Sequence, residues 1–197
     1  LANAFNTVSR EAVLRALEAE EGLRHLVPLF CLLHDQDGEC LYRDEDGVHV
    51  IWSCDGVVQG DPLSMALFCL AVAGVLRRLA AMEPADSVIV AFADDGRVGA
   101  PLAVLRRILD AAESEFRGVG LSLQMRKLKV WVPRGGEEAL REARIAFPGV
   151  AEVTSDGMRT VGVPLGVPEY AERALTDVVQ GHGILMERIQ EMARDHG

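Results

Sequence analysis

Two adjacent aspartates, Asp94 and Asp95, are the residues of this chain whose type and spacing best suit catalysis. They follow the apolar, β-branched run 87–92, which predicts a buried strand, and they precede Gly96, which predicts a turn with glycine supplying any positive φ. Neighbouring strand residues point to opposite faces, but that alternation fails at a tight turn. The sequence therefore predicts two carboxylates that reach one spot, as a divalent cation requires. A solvated hairpin tip is the alternative interpretation.

Helices that must position this pair are predicted from apolar spacing and capping signals. They cover residues 12–26, 62–81 and 101–116. Ser9 is predicted to cap the first helix, and Asp61 to cap the second with proline at the first helical position.

The strands are predicted largely as hairpins. Residues 39–43 and 48–53 flank an acidic turn, and further extended segments are predicted at 121–123, 128–132 and 160–165. A short helix is predicted over 137–145, and a helical tail over 169–194 that is interrupted at 181–183. This order predicts an α+β fold, with helices packed on one face of an antiparallel sheet.

Composition is that of an ordinary globular chain, with 197 residues of which 49% are hydrophobic and 25% charged. The most apolar stretch, 62–76, is shorter than the roughly 20 residues that span a bilayer, so it predicts a core helix and no membrane partner. Four cysteines without a Cys-x-x-Cys pair favour a reducing compartment, and thus an intracellular protein of cytoplasm or nucleus that is not secreted. Their spacing with the histidines fits none of the usual zinc patterns.

The net charge of −10 opposes nucleic-acid binding by the chain as a whole. One stretch differs, because 117–136 contains five basic residues and no acid before Glu137. These are Arg117, Arg126, Lys127, Lys129 and Arg134. Such an island predicts contact with a phosphate chain, and a solvated basic edge is the alternative.

Several separated motifs resemble, in order and spacing, the palm of reverse transcriptases of the kind found in non-LTR retrotransposons and group II introns. They are QGDPLS at 59–64, FADD at 92–95, and GLSL at 120–123 followed by Lys127. Joint agreement of separated motifs is more specific than any one of them.

Two further segments, near the start of the chain and after residue 160, also resemble motifs of this family. Residues 1–8 resemble the family's first palm motif, and 161–166 resemble a later hairpin that steadies the primer. The resemblance implies a palm over 1–166 and a helical extension toward a thumb or connection over 167–197. It also implies a first-motif aspartate immediately before Leu1 and fingers beyond it. We therefore expect a truncated piece of a longer polymerase that is inactive alone.

The resemblance implies that Asp94 and Asp95 are catalytic carboxylates that bind two Mg²⁺ ions, with Mn²⁺ as an alternative. It implies that Phe5 closes on the sugar and excludes a 2′-hydroxyl, from a strand beside the aspartate hairpin. A core aromatic is the alternative for Phe5, and a surface charge for Lys127. Gln59 and Gly60 would contact the incoming nucleotide and template, and Lys127 the triphosphate.

The function that follows is RNA-directed DNA polymerisation by a retroelement protein, with an RNA template, a DNA primer and deoxynucleoside triphosphates as partners. A non-catalytic palm-fold remnant or interaction module is the first alternative, favoured by the acidic charge and by the glycine-rich segment 96–100. A Mg²⁺ phosphohydrolase that uses Asp94 and Asp95 is the second, but it accounts for neither Gln59 and Gly60 nor the basic stretch.

Overall fold

A computed structural model describes residues 1, 3–58, 60–83 and 85–195, with side chains as far as residue 192. The chain divides into two compact units, Leu1–Gln124 and Met125–Gly197. The predicted boundary after residue 166 lies inside the second unit, and the palm-and-extension division stays a prediction.

The first unit contains five α-helices and two antiparallel hairpins among its described residues. The helices are α1 (Ala4–Thr7), α2 (Arg10–Ala19), α3 (Val27–His34), α4 (Ser64–Met82) and α5 (Leu102–Arg117), with a 3-10 segment at Glu21–Leu26. The hairpins are β1 (Gly38–Asp44) with β2 (Gly47–Ser53), and β3 (Val88–Phe92) with β4 (Asp95–Gly99).

Helix α4 is the centre of this unit's core. Its buried residues recur every three or four positions and form one stripe, which packs against α2, α5 and β3. The stripe includes Leu67, Phe68, Ala71, Val72, Val75 and Leu79. The helix has 19 residues and is long and apolar enough to cross a membrane by length and composition alone. Its buried stripe nevertheless confirms the predicted core helix.

The residues at which the helices begin and end confirm one predicted cap and correct other predictions. The Ser9 hydroxyl accepts a hydrogen bond from the Ala12 N–H at 3.2 Å, so the predicted cap is confirmed. The helix it caps ends at Ala19 rather than at residue 26. The predicted Asp61 cap is wrong, because α4 begins at Ser64 and the Asp61 carboxylate instead accepts from the Leu63 N–H at 2.6 Å, within the preceding turn.

The second unit has β5 (Lys129–Trp131) parallel to β6 (Glu152–Thr154), with α6 (Glu137–Ala146) between them in the chain. It continues with the antiparallel pair β7 (Gly157–Thr160) and β8 (Val163–Gly166), then α7 (Pro168–Asp195). The single strand predicted at 160–165 is therefore wrong: the chain turns at Val161 and Gly162, whose φ values are 48° and 80°. The interruption predicted at 181–183 is also wrong, because isolated glycines cost a helix about 1 kcal/mol each without breaking it.

The α+β class is confirmed by these elements. The strands of the described residues form four separate two-stranded sheets, three antiparallel and one parallel, so the predicted single antiparallel sheet is not formed among them. Helices α4 and α5 lie in the chain between successive strand pairs, whereas α6 lies between the two strands of the β5–β6 pair.

Candidate active site

The β3–β4 hairpin places the two aspartates at its tip. Phe92 pairs with Asp95, which leaves Ala93 and Asp94 as the connecting turn. Ala93 has φ 52°, in the left-handed region that a side chain enters at a cost of about 1–3 kcal/mol. The expectation that glycine supplies the positive φ is wrong here, because Gly96 lies within β4 opposite Ala91.

The hairpin has one face toward the core and one toward solvent. Ile89 packs against the core, while Val88, Val90 and Phe92 are 65%, 61% and 66% exposed. The prediction of a buried strand is therefore wrong for four of its residues, since Ala91 is exposed as well and Ile89 is the residue of β3 that packs against the core.

The two carboxylates have different surroundings. Asp94 is exposed, and its carboxylate makes no hydrogen bond or ion pair with any described residue. Asp95 is half-buried, and both of its oxygens accept hydrogen bonds from Arg97, Oδ1 from Nη1 at 2.5 Å and Oδ2 from Nη2 at 3.1 Å. Sequence reasoning missed this bond, although residues two apart on a predicted strand share a face.

A divalent cation fits this hairpin in part. Mg²⁺ is usually held by one or two carboxylates together with waters and substrate phosphates, so the exposed Asp94 suits it. Asp95 suits it only when Arg97 releases its oxygens. No group of three or more histidine, cysteine, aspartate or glutamate side chains that could hold a metal lies within the described ranges.

Phe5 lies in α1, so the prediction of an N-terminal strand is wrong. Local side-chain bonds favour the turn instead: the Asn6 amide donates to the Asn3 side-chain oxygen at 2.9 Å, and the Thr7 hydroxyl donates to the Asn3 carbonyl at 3.2 Å. The half-buried Phe5 ring stacks on the buried Phe68, with ring centroids 4.6 Å apart and planes at 24°. Phe5 therefore packs against the core, and its contact with a sugar stays a prediction.

The loop that leads to Gly60 is bonded to α1. The Val57 N–H donates to the Phe5 carbonyl at 2.7 Å, and the Gly56 N–H donates to the Val8 carbonyl at 3.0 Å. A Cβ at Gly56 would lie 2.4–2.5 Å from the backbone of Asn6, so the contact excludes a side chain there. The structure thus brings the loop ahead of Gly60 together with Phe5.

This loop carries two of the predicted substrate-binding residues, Gln59 and Gly60. Gln59 lies outside the described residues. Gly60 is exposed with φ 98°, and nothing lies within 4 Å of where its Cβ would be. The positive φ at this position favours glycine over residues with a side chain, and the space beside the backbone is open.

Lys127 belongs to the second unit, whereas Asp94, Phe5 and Gly60 belong to the first. It is the exposed last residue of a 3-10 turn, Met125–Lys127, and forms no ion pair with another described residue. Lys129 differs, because its Nζ lies 2.6 Å from Glu152 Oε2. The predicted basic stretch therefore contains both neutralised and available cations.

Comparisons with known proteins agree with the motifs. A family model described as reverse transcriptase (RNA-dependent DNA polymerase) matches residues 1–165. The chain is 32% identical over 120 residues to the retrotransposable element SLACS 132 kDa protein of Trypanosoma brucei gambiense. That alignment covers 60% of this chain and 10% of the relative, so the chain matches about a tenth of that protein's length.

Proposed function

The chain belongs to the reverse transcriptase family, and we propose that it is the palm of a retrotransposon RNA-directed DNA polymerase, adding deoxynucleotides to a primer 3′ end. The observation that carries this proposal is the β3–β4 hairpin, which presents Asp94 at an exposed turn beside Asp95. Adjacent carboxylates at such a tip are what phosphoryl transfer to a hydroxyl needs, since each cation requires anionic oxygen ligands.

In this proposal Asp94 and Asp95 hold the divalent cations, Mg²⁺ or Mn²⁺. When bound, the ions activate the primer 3′-hydroxyl and neutralise the leaving phosphates. Phe5, supported from behind by Phe68, bounds the space for the sugar and disfavours a 2′-hydroxyl. Gln59 and Gly60 contact the incoming nucleotide and template, and Lys127 supplies a positive charge to the triphosphate.

The proposed partners are an RNA template, a DNA primer and deoxynucleoside triphosphates, and the proposed location is inside the cell. The exposed cations Arg126, Lys127 and Arg134 support contact with phosphates, because no described acid pairs with them. The four free cysteines agree with a reducing compartment.

A non-catalytic palm-fold module is the second candidate function. One observation favours it: Asp95 is held through both oxygens by Arg97, which leaves Asp94 as the carboxylate of the pair that is open to a cation. The net charge of −10 points the same way.

Primer extension on an RNA template separates the two functions. In the protein that carries this sequence, we expect Asp94→Asn to lower the extension rate by about 10³-fold or more, because it removes an anionic cation ligand. We expect its melting temperature to change little, because an exposed turn carboxylate contributes little to folding.

Asp110→Asn is the matched control. It removes the same charge from an exposed aspartate on α5 that pairs with Arg106, and we expect it to retain extension. Equal extension by Asp94→Asn and the unmodified protein would contradict the polymerase proposal, and absence of extension by the unmodified protein would favour the non-catalytic module.

A further inference from the structure

Arg97 is positioned by β4 to hold Asp95. The two residues are two apart on the strand and so lie on the same face. Besides its two bonds to the carboxylate, the guanidinium donates from Nη1 to the Gly96 carbonyl at 2.7 Å. The side chains of Arg97 and Asp95 are 32% and 39% exposed, so solvent and ions reach the pair.

This arrangement opposes a cation at Asp95. A planar guanidinium that bonds both carboxylate oxygens takes one lone pair of each and covers the side on which a hard cation would bind both oxygens. Its positive charge also repels an approaching divalent ion, and at a few ångströms that repulsion is weakened but not removed by solvent. Asp94, the residue before Asp95, has no hydrogen-bond or ion-pair partner among the described residues.

We propose that Arg97 competes with divalent cations for Asp95 and is a positioning residue of the candidate site. The inference rests on the proposed role of the Asp94 and Asp95 carboxylates as cation ligands. Of the two aspartates, Asp94 presents the open carboxylate in the cation-free protein, and a cation held by both acids requires the guanidinium to leave Asp95. Arg97 thus sets the cation affinity of the hairpin without itself binding the cation.

The experiment is a Mg²⁺ titration of the 197-residue chain and its variants, followed by the backbone amide NMR signals of residues 94–96. We expect Arg97→Gln to bind Mg²⁺ about tenfold more tightly than the unmodified chain, equivalent to about 1.4 kcal/mol. Arg97→Lys keeps the charge but loses the two-pronged bond, so its affinity should fall between the two. Adding Asp95→Asn to Arg97→Gln should abolish the gain.

Arg106→Gln is the matched control, because Arg106 also bonds both oxygens of an aspartate, Asp110, in the same unit. It changes the net charge equally, and we expect less than a twofold change in affinity, since screened charges at a distance act weakly. Equal effects of Arg97→Gln and Arg106→Gln would overturn the inference, as would absence of Mg²⁺ binding by Arg97→Gln.

A second readout needs no variant. In the unmodified chain, the Arg97 side-chain N–H signal should shift with the same Mg²⁺ midpoint as the Asp94 amide, because the cation displaces the guanidinium. An unchanged Arg97 signal at saturation of Asp94 would overturn the inference. Neither readout measures polymerisation, so the inference stands or falls separately from primer extension.

Discussion

The ring of Phe5 packs against the core, and the proposed function also places it beside the substrate sugar, so one substitution tests both roles. Phe5→Val removes the stacking on Phe68 and should lower the free energy of unfolding by about 1–3 kcal/mol. It also opens the space that the ring fills, so in the protein that carries this sequence ribonucleotide incorporation should rise about tenfold or more relative to deoxynucleotides. Phe5→Tyr keeps the ring and should preserve both properties. Lower stability with unchanged sugar discrimination would assign Phe5 to packing alone.

His34 links stability to pH. Burial first, and the positive charge of Arg10 second, hold the pKa of the His34 imidazole below its usual value, and the charge of Asp61 opposes them. As pH falls below about 6.5, the unfolded chain therefore takes up this proton before the folded chain does. The folded state should lose stability from there down to the depressed folded pKa, by less than about 1 kcal/mol for a half-buried ring.

Melting temperatures at pH 7.5 and pH 5.5 test this linkage. The drop should be larger for the unmodified chain than for His34→Gln, which has no titrating group at that position. Equal drops would show that other groups account for the pH dependence.

Among the elements, the contact between the end of α5 and the α1–α2 connection tolerates no side chain. Gly120 has φ 79°, and a Cβ there would lie 2.6 Å from the Thr7 carbonyl oxygen and 2.8 Å from the Ser9 nitrogen. The Ser9 N–H donates to the Val119 carbonyl at 2.9 Å, so neither backbone can move freely.

Gly120→Ala should therefore lower the free energy of unfolding by about 2–4 kcal/mol, from strained φ and displaced backbone together. Gly96→Ala is the control, because nothing lies within 4 Å of its Cβ position, and it should cost under about 1 kcal/mol. Denaturant titration of the two variants measures both values. Similar losses would show that the close approach at Gly120 is relieved by relaxation.

The elements predicted from sequence are those with local signals. The Ser9 cap, the first β-hairpin and the spacing of apolar residues in α5 each depend on neighbours within a few positions. The parallel pairing of β5 with β6 depends on segments more than twenty residues apart, so no local pattern predicts it. Helix α3 was missed because its apolar run, 27–34, has no helical periodicity.

In the candidate site, too, the sequence predicted the features that depend on local signals and not the side-chain contacts. Turn chemistry predicted the tip at Asp94, but the bidentate bond from Arg97 to Asp95 depends on side-chain geometry across one strand face. The roles of Phe5, Gly60 and Lys127 came from motif order alone and stay predictions. Gln59 lies outside the described residues, so its placement stays a prediction as well.

For the whole molecule, a net charge of −10 opposes the approach of nucleic acid, so the proposed binding would depend on cations that no carboxylate neutralises. The two lysines of the chain offer a matched pair for testing this. Lys129 is paired with Glu152 at 2.6 Å, whereas Lys127 forms no ion pair with any described residue. Replacing either lysine by glutamine makes the net charge more negative by the same amount.

If Lys127 contacts a phosphate, Lys127→Gln should weaken binding of a primer–template duplex whatever its sequence. The slope of log K against log salt concentration, which is negative, should also become smaller in magnitude by about 0.7–0.9, the contribution of one phosphate contact. Lys129→Gln should leave the slope unchanged, because its amino group already bonds a carboxylate. Fluorescence anisotropy between about 50 and 200 mM salt measures both slopes. Equal losses of affinity with equal slopes would mean that only the bulk charge acts, and Lys127 would then be a solvated surface lysine.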